Sequence, residues 1–190
     1  LNCLVTDRLG PGEFGERFLK AAKERLGFDY GLATRNPIVA LETALGCLGL
    51  ASGDAVALSA LSPAWAYRAL ERKGLRPVWL DVDTASASIG SKSLERLAEE
   101  PAKALYLAEP WGIMPDPAAF LELGLPIVED ATYSLGSNVG DVKAGCIGTL
   151  TIIALEHACA MTAGGGALLF AAARREGQVL KNTLESLLPE

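Results

Sequence analysis

Apolar residues follow two alternating periods along this chain, and the alternation outlines a fold. Within residues 13–26, Phe14, Phe18, Leu19, Ala22 and Leu26 recur at helical spacing, and Gly27 supplies a stop. The apolar run "YGLAT" at 30–34 then reads as a short strand. It leads at once into "NPIVALETALGCLGL", where Asn36 suits the N-cap and Pro37 the first helical position. The succession repeats, with strands predicted at 55–61, 76–82, 103–109 and 126–130 and helices at 63–74, 91–100 and 115–124 between them. Beyond a polar, Gly-rich stretch at 134–148 come strands at 150–155 and 166–170 and a helix over 172–188.

Strands separated by helical segments of this length make βαβ units, and their nearly unbroken apolar character fits a parallel sheet covered on both faces. The expected fold is therefore α/β, a three-layer αβα arrangement around a mostly parallel seven-stranded sheet. The short link between the last two strands leaves room for one antiparallel pairing. No repeat or linker interrupts residues 1–190, which read as a single domain. In such sheets ligands bind beyond the carboxyl ends of the strands, here residues 35–38, 62–65, 109–112, 129–133 and 156–166.

Charge and cysteine usage narrow the function. Seventeen basic and 23 acidic residues give a net charge of −6 with no run of like charges, which argues against a nucleic-acid partner. No apolar run approaches the roughly 20 residues needed to cross a bilayer, and the N-terminus lacks a signal-peptide pattern, so a cytoplasmic protein without a membrane partner is expected. Cys3, Cys47, Cys146 and Cys159 show no C-x-x-C spacing, and the lone His157 completes no zinc set. They read as reduced, mostly buried thiols, and no metal site is expected.

Chemistry concentrates where strands end. "PIVEDATYSLGS" brings Glu129 and Asp130 out of a buried strand, and "LEHACAMTAGGGALLF" sets three glycines before another. The glycines permit a turn or a close backbone approach but form no G-x-G-x-x-G nucleotide loop, since they lead into a strand. Trp79 and Trp111 read as core or interface aromatics. Cys159 beside His157 lacks the third group of a nucleophilic site.

The ordered set "SGDAV", "RPVWLDVD", "AEPWGIMPD" and "VEDATYSLGS" resembles the pyridoxal-phosphate sugar aminotransferases of the DegT/StrS type, within the fold-type I superfamily. The resemblance covers nearly all of the chain and implies the large domain of that fold. It matches Asp130 to the carboxylate that pairs with the cofactor's ring nitrogen, Trp65 to the aromatic that stacks on the ring, and Tyr133 to the residue at the ring hydroxyl. Asn36, Pro37 and Ile38 fall on the Ser-Gly-Thr of the phosphate cup, where proline removes a backbone N–H.

Departures from the pattern fall on the covalent anchor and phosphate cup together. Ala158 occupies the place of the Schiff-base lysine, Ile153 that of the preceding serine and Gly164 that of the glutamate in "GEGG". The resemblance thus implies a domain without transaminase activity, a binding or assembly subunit, with no confident catalytic residue and no covalently held cofactor. The alternative is a sugar-modifying enzyme of nucleotide-sugar or cell-surface polysaccharide biosynthesis. It would bind pyridoxal or pyridoxamine phosphate non-covalently, with His157, one position before Ala158, as base. The simpler reading of His157 is a strand-end histidine without catalytic duty. The resemblance also leads one to expect a large domain without the family's small C-terminal domain, with a homodimer and a nucleotide-sugar ligand as the partners.

Overall fold

The computed structural model describes residues 12–187, with side chains to residue 183. Helix α1 (Glu13–Leu26) precedes β1 (Tyr30–Thr34), α2 (Pro37–Cys47), β2 (Ala55–Ser59), α3 (Ala64–Arg72) and β3 (Arg76–Leu80). Two short helices, α4 (Ser91–Leu94) and α5 (Arg96–Glu99), lead to β4 (Ala104–Ala108), α6 (Pro117–Leu121) and β5 (Ile127–Asp130). A small hairpin of β6 (Asn138–Val139) and β7 (Val142–Lys143) is followed by β8 (Leu150–Ala154), β9 (Ala167–Ala171) and α7 (Arg174–Leu187).

The seven long strands form one sheet in the order β1-β9-β8-β5-β4-β2-β3. Strands β3, β2, β4, β5 and β8 run parallel, and β9 runs antiparallel to both of its neighbours, β8 and β1. The β8–β9 link of residues 155–166 makes the expected antiparallel pairing, and a second arises because β1 pairs with the far side of β9. The β6–β7 hairpin lies in the stretch read as irregular, where its few residues carry no alternation to detect.

Helices cover both faces. Leu41, Leu45 and Leu70 from α2 and α3 and Leu180 from α7 pack with Val56, Tyr106, Val128 and Ile152 of the sheet. On the other face, Phe120 of α6 and Leu94 of α4 meet Val78, Leu105, Leu107 and Ile127. There too Leu19, Ala22 and Leu26 of α1 pack on Ile153, Leu168 and Phe170. Phe14 and Phe18 share the helical period yet stay exposed, so the core stripe of α1 is narrower than its sequence implies.

Local chemistry explains where elements begin and stop. Asn36 Oδ1 accepts from Val39 N at 2.9 Å and Pro37 opens α2, as its sequence predicts. Gly27 closes α1 in the left-handed region, its N–H reaching Lys23 O. The helix predicted over 91–100 divides at Glu95, where Glu95 N bonds Lys92 O and Ala98 N bonds Glu95 O, both three residues back.

The thiols are more accessible than their sequence suggests. Cys47, the last residue of α2, is half-buried against the core, while Cys159 is half-buried and Cys146 exposed in loops. Cys3 and Leu188 lie outside the described residues. Trp79 stacks on Tyr67 at the surface, 5.8 Å between ring centroids, and is no core aromatic. Replacing Asn36 by alanine should remove a helix cap worth about 1 kcal/mol and lower the urea midpoint with an unchanged denaturant slope.

Candidate functional site

A cavity of about 330 Å³ opens at the carboxyl ends of β2, β4 and β5. The chain leaves β2 toward β3 on one side and returns to β4 on the other, so the cavity stands at the reversal of strand order that favours ligand binding. Leu61 and Pro63 form one wall, Trp111 and Tyr133 stand opposite, and Glu109 and Asp130 supply the acidic groups.

Alternation along the strands decides where each acid points. Val128 shares its core cluster with Tyr106, while Ile127 belongs to the opposite cluster with Leu105 and Leu107. Asp130 accordingly follows Val128 and Tyr106, whereas Glu129 and Glu109 follow the other face. Asp130, only 4% exposed, accepts from Tyr106 OH at 2.6 Å on Oδ2. Its Oδ1 accepts from Thr132 N at 3.1 Å and from the Thr132 hydroxyl. Thr132 Oγ1 also accepts from Ala154 N at 2.9 Å, which ties the end of β5 to the end of β8. Burial raises the Asp130 pKa, and the Thr132 and Tyr106 donors oppose that shift.

Glu129 is fully buried and accepts three backbone N–H groups, Gly145, Ile147 (2.8 Å) and Gly148 (2.7 Å). A Cβ on Gly148 would stand 2.6 Å from Leu150 O and 2.7 Å from Glu129 Cβ, so only glycine allows this approach. Glu109, 1% exposed, accepts the Ser134 hydroxyl on Oε2, while no protein N–H or O–H among the described residues reaches Oε1. Burial first, and then the Glu129 charge, push its pKa up to about 8. The proton it keeps at neutral pH is shared with Glu129.

The other predicted residues are dispersed. Trp65, in the first turn of α3, lies edge-on to Tyr106, 5.8 Å between centroids and 81° between planes, and packs against the core. Asn36 uses its side chain to cap α2. His157 and Ala158 are both exposed in the loop after β8, and Ile153 is buried against α1. Tyr133 does line the cavity, 45% exposed, near Cys159. The glycines at 164–166 all take positive φ, which accounts for that run as the turn into β9.

This set does not fit a phosphate-bearing cofactor. No lysine or arginine lines the cavity, Pro37 lacks the N–H at the head of α2, and Asn36 already holds the N–H of Val39. Glu109 and Thr132 fall within the strand-end windows 109–112 and 129–133 marked from the sequence, but neither they nor Tyr106 were singled out as candidates. Their signal was the parity of "ALYLAE" and the threonine two places beyond Asp130.

Glu109→Gln tests the acid pair. Because the folded pKa is raised above the ordinary 4.5, the carboxyl's stabilising contribution is complete below that value and fades as pH climbs to about 8. Glu129 and Asp130 are the charges that face it, and Ser134 donates to it. Urea unfolding of the wild type should weaken across this window, and the glutamine variant should be flatter and the more stable of the two above pH 8.

Comparison with known proteins places this geometry in context. A profile described as the DegT/DnrJ/EryC1/StrS aminotransferase family matches residues 2–179. An L-glutamine:2-deoxy-scyllo-inosose aminotransferase of Streptomyces fradiae is 26% identical over 167 residues, 84% of this chain and 39% of that protein. A GDP-perosamine synthase of Caulobacter vibrioides is 26% identical over 174 residues, 89% of this chain and 47% of its own. The aminotransferase structure from Psychrobacter cryohalolentis superposes with a TM-score of 0.86 at 21% identity, covering 95% of this chain and 47% of that one. A GDP-4-keto-6-deoxymannose-3-dehydratase with a trapped PLP-glutamate geminal diamine gives 0.85 at 18% identity, covering 95% and 49%. The chain spans less than half the length of these relatives and shares their mostly parallel seven-stranded fold. With the match running through nearly every described element, the chain belongs to the DegT/DnrJ/EryC1/StrS aminotransferase family.

Proposed function

We propose that this chain is a ligand-binding or assembly member of the family that performs no transamination by itself. The observation that carries the reading is the loop between β8 and β9. Ala158 stands there at the place of the family's lysine, and residues 144–180 contain no lysine at all. When bound, pyridoxal phosphate supplies an electron sink to the carbon bearing the amine. This chain offers that cofactor neither a covalent anchor nor a phosphate cup. Any pyridoxal or pyridoxamine phosphate would be held non-covalently, with Asp130 and Tyr133 the side chains facing it.

The chain's own residues perform a binding task. Tyr106 and Thr132 keep Asp130 oriented, Glu109 retains a proton at the cavity, and Leu61 and Pro63 exclude water from one wall. Nucleotide sugars are the ligand class to test first, since the GDP-perosamine synthases among the relatives are named for a nucleotide sugar. A homodimer in the cytoplasm completes the proposal. Leu61, Trp111, Ile113 and Tyr133 expose apolar surface in the loops that follow β2, β4 and β5, where a second copy would bury it.

Borohydride reduction with pyridoxal phosphate should leave no stoichiometric adduct on any one lysine by peptide mass spectrometry, and Ala158→Lys should not produce transamination. A single fully labelled lysine, or turnover by the wild type, refutes the reading. Sedimentation at high micromolar concentration should give a dimer, and a monomer there rules out assembly through this face.

A further inference from the structure

We infer that residues 134–148, the strap between β5 and β8, are held closed beside the cavity by a single proton bridging Glu109 and Glu129, and that the strap opens as this proton leaves.

Two buried carboxyls grip the strap at its two ends. Glu109, just past β4, accepts the Ser134 hydroxyl where the strap begins. Glu129 of β5 accepts the N–H groups of Gly145, Ile147 and Gly148 where it ends. The grips meet, because the two side chains hydrogen-bond to each other. Two carboxyl groups can do so only with a proton between them. Ser134 occupies Oε2 of Glu109, which leaves Oε1, the oxygen without an N–H or O–H donor among the described residues, for Glu129. Three backbone donors favour the ionised form of Glu129, so the proton resides on Glu109.

Between the grips the strap is lightly fastened. Gly136 and Gly145, near its ends, take φ of 95° and 92°, which suits them as pivots. Asn138, Val139, Gly140, Asp141 and Lys143 are exposed, and Leu135, Val142 and Ala144 are only partly buried against the core. Without the shared proton, two buried carboxylates would face each other, and lifting the strap admits the water that relieves them. The cavity feels this movement. Tyr133 immediately precedes the strap, and the Ser137 hydroxyl donates to Gly112 O at 3.2 Å, beside Trp111.

Neighbouring charges fix the direction with pH. Asp130 of β5 also faces Glu109, while Cys146 in the strap faces Glu129 and has Lys143 nearby. Burial first, and then the Glu129 charge, keep the closed-state pKa of Glu109 at about 8, against 4.5 for the group opened to water. Opening therefore releases a proton, so the open fraction grows as pH rises from about 4.5 and levels off above about 8.

Tryptic cleavage after Lys143 in the full chain tests the inference, with rates normalised at each pH to an unstructured peptide of the same local sequence. The normalised rate should rise at least about tenfold between pH 6 and pH 8 and then level off. Cleavage after Lys103, at the start of β4, reports global unfolding and should stay at least about tenfold slower throughout. Glu109→Gln keeps an acceptor for Ser134 and offers Glu129 a permanent N–H donor, so its Lys143 rate should be low and independent of pH. Hydrogen exchange at Gly145, Ile147 and Gly148 of the wild type, corrected for intrinsic rates, supplies a second readout if that variant folds poorly. Protection there should fall across the same window. A wild-type rate that ignores pH overturns the inference, as does an equal rise in the glutamine variant, cleavage after Lys143 no faster than after Lys103, or unchanged amide protection.

Discussion

Three carboxyl groups leave the sheet within a few ångströms of the same edge, and each must find donors inside the protein. Glu129 finds them in the backbone at Gly145, Ile147 and Gly148, so the chain before β8 is folded around a side chain of β5. Asp130 finds them in Tyr106 of β4 and Thr132, and Thr132 passes the constraint to Ala154 at the end of β8. Neighbouring parallel strands are joined by backbone ladders that reach their carboxyl ends, where Glu109 N bonds Asp130 O and Ala131 N bonds Ile152 O, and the acids add side-chain ties there. Loss of any one donor would leave a buried charge unsatisfied, a cost well above that of an ordinary hydrogen bond.

That arrangement separates what the strand ends do for the fold from what the loop after β8 does. Asp130, Tyr106 and Thr132 hold the strand ends together through bonds made within the chain, with no ligand needed to complete them. The lysine position lies elsewhere, in an exposed loop whose shape depends on glycines at 164–166 and on a bond from Leu155 N to Gly166 O. Nothing in the packing of that loop requires an amine at Ala158. A chain can exchange that residue without touching the core.

Strands were legible because each is an apolar run bounded by turn residues, and all seven occur within a few residues of their predicted bounds. The sheet's order was less so, since β1 reaches β9 by tertiary pairing that no local pattern records. Helix 91–100 broke because its period offered only Leu94 and Leu97 to the core, too little to hold ten residues in one rod. Asp130 and Tyr133 could be placed at the cavity from strand position and resemblance, whereas Trp65 could not, because an edge contact with Tyr106 depends on how α3 rotates above the sheet. Glu109 was marked only as the first residue of a strand-end window, for a physical reason. A lone glutamate after a strand looks like a solvated end, and only the fold reveals that Ser134 and Glu129 enclose it.

The placement of the three tryptophans has a spectroscopic consequence. Trp65 is half-buried against Tyr106, Trp79 is stacked on Tyr67, and Trp111 stands in water at the cavity wall. Indole emission moves to shorter wavelength as water leaves the ring, so anything that settles against Trp111 changes the reddest component of the protein's fluorescence and leaves the other two where they were. The chain carries its own optical reporter, located at the one surface whose occupant is in question.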